Sequence, residues 1–212
     1  RGLNMNKEWS ELNKTMQAQI KKKDTYKMGI DTLFNLRRQL MQTLVSFKED
    51  LCREDFNAIP FINADGYHSK TIAYSIWHIF RIEDIVAHTV ITEDEQVFFT
   101  GNYQVRINSP IITTGNELVK QQIADFSKQL NLEELYSYIF EVRESTEKIL
   151  ERFSYDELKW KIPDERKGYL KSLNVVNCDE KAIWLIDYWC SKDIRGLIQM
   201  PFSRHWIMHT EA

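Results

Sequence analysis

Tyr74-Ser75-Ile76-Trp77-His78-Ile79-Phe80-Arg81-Ile82-Glu83-Asp84, residues 74–84 of a 212-residue chain, decides how the sequence is read. At 100° per residue an α-helix brings His78 into one sector with Tyr74, Ile82, Ile85 and Val86. That sector is the apolar face, so the histidine points inward. The spacing predicts a helix capped by Ser69 or Thr71 and running to about Thr92.

The helical period continues on both sides. Residues 7–22 place Trp9, Leu12, Met16 and Ile20 on one face and end in Lys21-Lys22-Lys23, which reads as a solvated helix end. Residues 1–24 are therefore an N-terminal amphipathic arm whose apolar face needs cover, and association with a second copy would supply it. Residues 1–4 precede Met5 and are read as a cloning remnant. A second helix over about 25–52 carries Ile30, Leu33, Phe34, Leu36, Leu40, Leu44 and Phe47 on its inner stripe. Arg37, Arg38, Lys48 and Glu49 fall on its polar side.

Asn57 through Gly66 contains Pro60 and an Asp-Gly pair and reads as a loop. From Thr100-Gly101-Asn102 to Thr114-Gly115-Asn116 the period fails and Pro110 intervenes, so this is expected to be a long connection that caps one end of the bundle. A short helix over 117–129 and a longer one over 132–153 follow, the latter with Leu135, Ile139, Val142, Thr146 and Ile149 inward. Residues 154–178 read as loop with a helical turn. Asp179-Glu180 opens the last helical section, Gly196 and Pro201 interrupt it, and Pro201 suits the first turn of a fresh helix bearing His205 and His209. The pattern ends mid-helix at Ala212, so the polypeptide is expected to continue. The fold class is all-α: a four-helix bundle over 25–212, with an extra N-terminal helix and a long loop between the second and third core helices.

Composition narrows the function. Hydrophobic residues at 43% and charged residues at 28% are ordinary for a globular chain. A net charge of -3 with one short basic run gives no footprint for nucleic acid. No apolar stretch reaches membrane-span length and no signal peptide is visible. The three cysteines form no C-x-x-C pair, which points to a reducing compartment with each thiol buried or half-buried. A cytoplasmic location is expected.

His205 and His209 stand four apart, about 40° around the helix and one turn along it, so both imidazoles can reach one ion. His78 is the inward histidine that could complete a three-histidine set. A lone His-x-x-x-His is a weak motif, and a lone inward histidine is ordinarily a hydrogen-bonded core residue; their combination is the informative feature. His68 lies in a loop and reads as exposed. His88 is four residues from Asp84, and the two read as a rim contact. No Glu-x-x-His occurs, which argues against a ferritin-type di-iron site. Glu83 projects about 140° away from His78 on an ideal helix and reads as structural, so the general base is unknown. Arg195 and Arg204 neighbour the last helix and are the candidates for holding an anionic substrate, although surface pairing explains them too. Trp77, Trp184, Tyr188, Trp189 and Trp206 could wall a pocket or simply fill the core.

Trp77-His78-Ile79-Phe80-Arg81-Ile82-Glu83-Asp84 resembles the second-helix signature of the DinB-like superfamily of four-helix bundles, where a glutamate follows the histidine by five residues. Met200-Pro201-Phe202-Ser203-Arg204-His205-Trp206-Ile207-Met208-His209 is similar to that family's last core helix. The resemblance spans roughly residues 25–212. It implies a divalent transition metal, zinc or nickel first and iron or manganese after them, held by His78, His205 and His209. It also implies a transferase or hydrolase that activates a low-molecular-weight thiol or water. The family commonly carries a glycine and a glutamine after its last histidine; Thr210-Glu211-Ala212 stands here instead, so no branch or substrate is selected. The alternative is a non-catalytic bundle in which a metal stabilises a dimerisation or partner-binding module.

Overall fold

Seven glycines and four prolines leave this chain few places to break, and helices take up most of it. The computed structural model describes residues 2–212; among them regular structure is all-helical, apart from an isolated bridge between Lys161 and Asp193. In chain order the helices are α1 (Gly2–Gln19), α2 (Tyr26–Asp50), α3 (Arg53–Asn57), α4 (Ile72–Asp84), α5 (Val97–Thr100) and α6 (Tyr103–Ile107). They continue as α7 (Gln121–Gln129), α8 (Leu132–Glu151), α9 (Glu165–Ser172), α10 (Glu180–Cys190), α11 (Ile194–Gln199) and α12 (His205–Glu211). No described helix is long and apolar enough to cross a membrane.

Helix α4 is the centre. It runs without a break into wider π-type turns over Ile85–Thr92, and every residue from Ile76 to Val90 is buried. Such all-round burial goes beyond the one-sided face that periodicity predicts. Helices α8 and α12 pack on α4, α2 packs on α12 and α8, and α1 lies along α2. Trp9 and Met16 of α1 and Ile20 just after it are buried, so the arm finds its cover within the chain. The inner stripe of α8 is as the period predicts, with Leu135, Ile139, Val142, Thr146 and Ile149 all buried.

Side-chain caps set several helix starts. Asn131 Oδ1 accepts the Glu134 N–H at the start of α8, and Asp179 Oδ1 accepts the Lys181 N–H at the start of α10. Thr71 Oγ1 accepts the Tyr74 N–H at 3.0 Å, and its hydroxyl also bonds Ser127 of α7. Both partners are buried, so Thr71→Ala is expected to cost about 1–2 kcal/mol. A lowered urea midpoint with unchanged slope is the readout, and a midpoint equal to that of the unaltered protein would refute the cap's importance.

Several sequence expectations need correction. Arg37, assigned to the polar side of α2, is fully buried. Glu83, Glu147 and the Phe202 carbonyl satisfy its guanidinium, and its charge lies 4.1 Å from the Trp206 ring centre. The 100–116 connection contains α6, because Asn102 and Asn108 adopt left-handed backbone at its two ends, φ 53° and 62°. The short helix expected from 117 starts at Gln121, and the 154–178 segment holds the eight-residue helix α9 rather than a single turn. The break after α10 falls at 191–193, not at Gly196: Asp193 accepts the Gly196 N–H at 2.7 Å and caps α11 with the glycine inside its first turn. Cys52 and Cys178 are exposed, and only Cys190 is half-buried as expected.

Candidate metal centre

The chain reaches His205 through an irregular turn. Met200–Arg204 is π-type, with the His205 N–H reaching back to the Met200 carbonyl, and Pro201 sits in its first turn. Ser203 Oγ donates to the Ile198 carbonyl at 2.9 Å, within the stretch where proline supplies no N–H. Trp206 Nε1 then donates to Glu83 Oε1 at 3.0 Å. That bond ties the start of α12 to α4 one residue after His205 and five after His78.

All three histidines meet. Ring centres are 5.0 Å apart for His78 and His205, 4.8 Å for His78 and His209, and 4.6 Å for His205 and His209. One nitrogen from each ring lies within 4.8 Å of the others, the one such group of three potential ligands among the described residues. Three atoms no farther apart than 4.8 Å share a point at most about 2.8 Å from each, against 2.0–2.1 Å for a zinc–nitrogen bond. The shortfall is at most about 0.8 Å per ring.

The connection after α6 orients His78. Three residues on one face of α4 each donate to a carbonyl of this strand of chain. Arg81 reaches the Ile112 carbonyl at 2.6 Å, His78 Nδ1 the Thr114 carbonyl at 2.7 Å, and Tyr74 the Gly115 carbonyl at 2.9 Å. Gly115 has φ +79° and lies so close to Tyr74 that a Cβ there would meet the ring at 3.0 Å, so both the conformation and the approach call for glycine. A carbonyl can only accept, so neutral His78 carries its proton on Nδ1 and keeps the Nε2 lone pair for a ligand. A backbone carbonyl on the far nitrogen is a common way to orient a ligating histidine.

Electrostatics favour the ligating form. Burial lowers the His78 pKa to about 4, against a raising contribution from the Thr114 bond. Burial, followed by the neighbouring imidazoles, holds His205 and His209 well below the ordinary histidine range. All three are therefore neutral at pH 7. His205 Nδ1 is buried with no hydrogen-bond partner among the described residues, a lone pair or N–H that an ion or an ordered water would satisfy. An all-imidazole set suits zinc, nickel, copper or iron better than calcium or magnesium, which prefer oxygen.

The three rings line a cavity of about 730 Å³. One wall is the face of α10 bearing Lys181, Trp184, Leu185, Tyr188 and Trp189. The segment 62–70 makes another, and Met200 and Pro201 make part of the floor. Of the five aromatic candidates, Trp184, Tyr188 and Trp189 wall the cavity, whereas Trp77 and Trp206 are wholly buried core. Periodicity alone did not separate the two groups.

The remaining candidates lie elsewhere. Arg204 is exposed, Arg195 is half-buried, and neither lines the cavity; its cationic side chains are Lys70, Lys120 and Lys181. His68 is exposed. His88 is buried, and its partner is Asp94 at 2.6 Å, not Asp84. Its other nitrogen lies 2.8 Å from Ser145 Oγ, and none of these three residues lines the cavity, so they clamp the end of the α4 extension to α8. Asp84 instead accepts the Val97 and Phe98 N–H groups, at 2.9 and 2.8 Å, at the start of α5. Glu83 is structural as expected, both oxygens being taken by Arg37. Lys70 and Thr114 were missed by sequence reasoning: a backbone acceptor leaves no residue-type signal, and Lys70 reads as any surface lysine.

No protein-family model matches the chain, and no curated protein matches it.

Proposed function

We propose that this chain is a divalent-metal-dependent enzyme of the DinB-like kind, a bundle of α2, α4, α8 and the terminal helix α12 that acts on a small molecule in the α10 cavity. One observation carries the reading: three buried, neutral imidazoles from α4 and α12 converge at the wall of a 730 Å³ cavity. His78, His205 and His209 would hold the ion, with zinc or nickel fitting the donor set best. An ion of this class, if held there, would supply Lewis acidity and would lower the pKa of a thiol or water. The chain's own residues hold and orient. The Thr114 carbonyl fixes His78, Trp206 anchors α12 to Glu83, and Trp184, Tyr188 and Trp189 give the bound molecule an aromatic surface to lie against. Asp65 is the one carboxylate among the lining residues, and it is exposed.

The second reading, a non-catalytic bundle that the metal staples, is favoured by the way the ligands cross-link α4 to α12. Protein purified without a metal-affinity tag and reconstituted with zinc is expected to hold one ion per chain by elemental analysis. A cobalt-substituted sample is expected to change its visible spectrum when a small thiol is added. No stoichiometric metal sinks both readings; a metal whose spectrum ignores thiols and small electrophiles leaves the staple.

A further inference from the structure

The cavity beside the histidines is unevenly charged. Lys70, Lys120 and Lys181 line it against the single carboxylate of Asp65. Lys181 is paired with Asp179 at 3.4 Å, while no ion pair engages Lys70 or Lys120 among the described residues. Lys120 is held at φ 48°, a conformation non-glycine residues rarely take and one that collects at ligand sites. Lys70 is the more telling group. It is half-buried, its ammonium lies 5.4 Å from the Tyr74 ring centre, and Tyr74 stacks on His78 at 5.5 Å. Removing an ammonium from water without a carboxylate partner is unfavourable unless an anion arrives. Three neutral imidazoles would also leave a bound dication uncompensated.

The α10 residues that line the cavity are of different chemistry. Trp184, Tyr188 and Trp189 together with Leu185 present an aromatic and aliphatic surface, and Trp184 remains 49% exposed at the cavity. An exposed tryptophan and an unpaired lysine lining one cavity suit a molecule with an apolar body and an anionic head.

We propose that the cavity selects an amphiphilic oxyanion, with its carboxylate or phosphate on Lys70 and its flat apolar body against Trp184, Tyr188 and Trp189. This rests on reading the cavity as the substrate site, and it deepens that reading by naming the class. Lys120, an exposed lining residue of the same cavity, adds a second positive charge for the head group. Arg195 and Arg204, the sequence candidates for this task, take no part.

Binding of 2-naphthoate, 2-naphthyl phosphate and uncharged 2-naphthalenemethanol, read by tryptophan fluorescence and by calorimetry, tests it. The protein is used as purified, zinc-loaded and after chelation. At least one of the two anions is expected to bind about tenfold or more tightly than the alcohol, in line with a charge-assisted contact, and the tighter one names the head group. Lys70→Met is expected to abolish that preference while leaving the alcohol's affinity unchanged, and Lys70→Arg to keep it. Equal binding of all three probes, or a preference that survives Lys70→Met, overturns the proposal. Zinc content of each variant is measured alongside. Normal zinc without an anion preference rejects this inference alone, and an anion preference in protein that takes up no zinc rejects the metal reading alone.

Discussion

Glu83→Ala is expected to destabilise the protein by about 3–5 kcal/mol, the range for stripping one partner from a buried ion pair. Glu83 receives both Arg37 nitrogens, at 2.6 and 3.0 Å, together with the Thr146 hydroxyl at 3.1 Å and the Trp206 indole at 3.0 Å. These donors come from α2, α8 and α12, so a single carboxylate on α4 joins the four helices that frame the histidines. Both side chains of the ion pair are wholly buried. Burial disfavours the Arg37 cation, yet attraction and hydrogen bonds from Glu83, then Glu147, hold its pKa above the ordinary value. Alanine at 83 leaves that cation inside with Glu147 as its remaining carboxylate and leaves the Trp206 N–H without an acceptor.

The double replacement Arg37→Met with Glu83→Leu is expected to recover most of the loss, because an apolar pair carries no desolvation penalty. It removes the register that the indole bond gives α12, so zinc affinity is expected to stay weakened even where stability returns. Urea unfolding and zinc titration of the three proteins separate the two effects. A Glu83→Ala protein within about 1 kcal/mol of the original would mean that Glu147 alone neutralises the cation.

The same ion pair marks the limit of what the sequence discloses. Thr71 and Asp179 are legible as helix starts because a cap bonds an N–H two or three residues away. The inward direction of His78 is legible because the period of one helix decides it. Arg37 is not, since its burial depends on Glu83, 46 residues away, and on Glu147, 110 residues away. His88 was assigned to Asp84 on the assumption of α-helical phase, but from Ile85 the turns are π-type, the phase changes, and the ring reaches Asp94 and Ser145 instead. For the metal centre, periodicity supplied directions for His78, His205 and His209 but no distances. Their meeting depends on the π-turn before α12, of which Pro201 is the one sign in the sequence, and on the carbonyls of Ile112, Thr114 and Gly115, which no side-chain pattern encodes.

Metal-free protein is expected to lose stability steeply as the pH falls from about 6.5 to 4. In the unfolded chain a histidine takes its proton near pH 6.5, whereas folded His78 refuses it until about pH 4. Between those values the unfolded state binds more protons, so the contribution of His78 is complete above 6.5 and is lost as the pH drops toward 4, at up to about 1.4 kcal/mol per pH unit. His205 and His209 are lowered in the same sense by burial and by the rings beside them, and their losses add to it. Two or three protons taken up on unfolding remove at most about 7–10 kcal/mol across this window, which exhausts a fold in the lower part of the ordinary range of about 5–15 kcal/mol. His205→Asn is expected to reduce the slope of unfolding free energy against pH by about one proton between pH 6.5 and 5.5. A slope unchanged by that replacement would show that His205 is protonated in the folded protein. The exclusion of protons also predicts how the ion binds. While the rings stay neutral no proton competes for their lone pairs, so zinc affinity of the folded protein is expected to be nearly constant from pH 7 to about 5.5. An exposed histidine pair loses its affinity through that same interval.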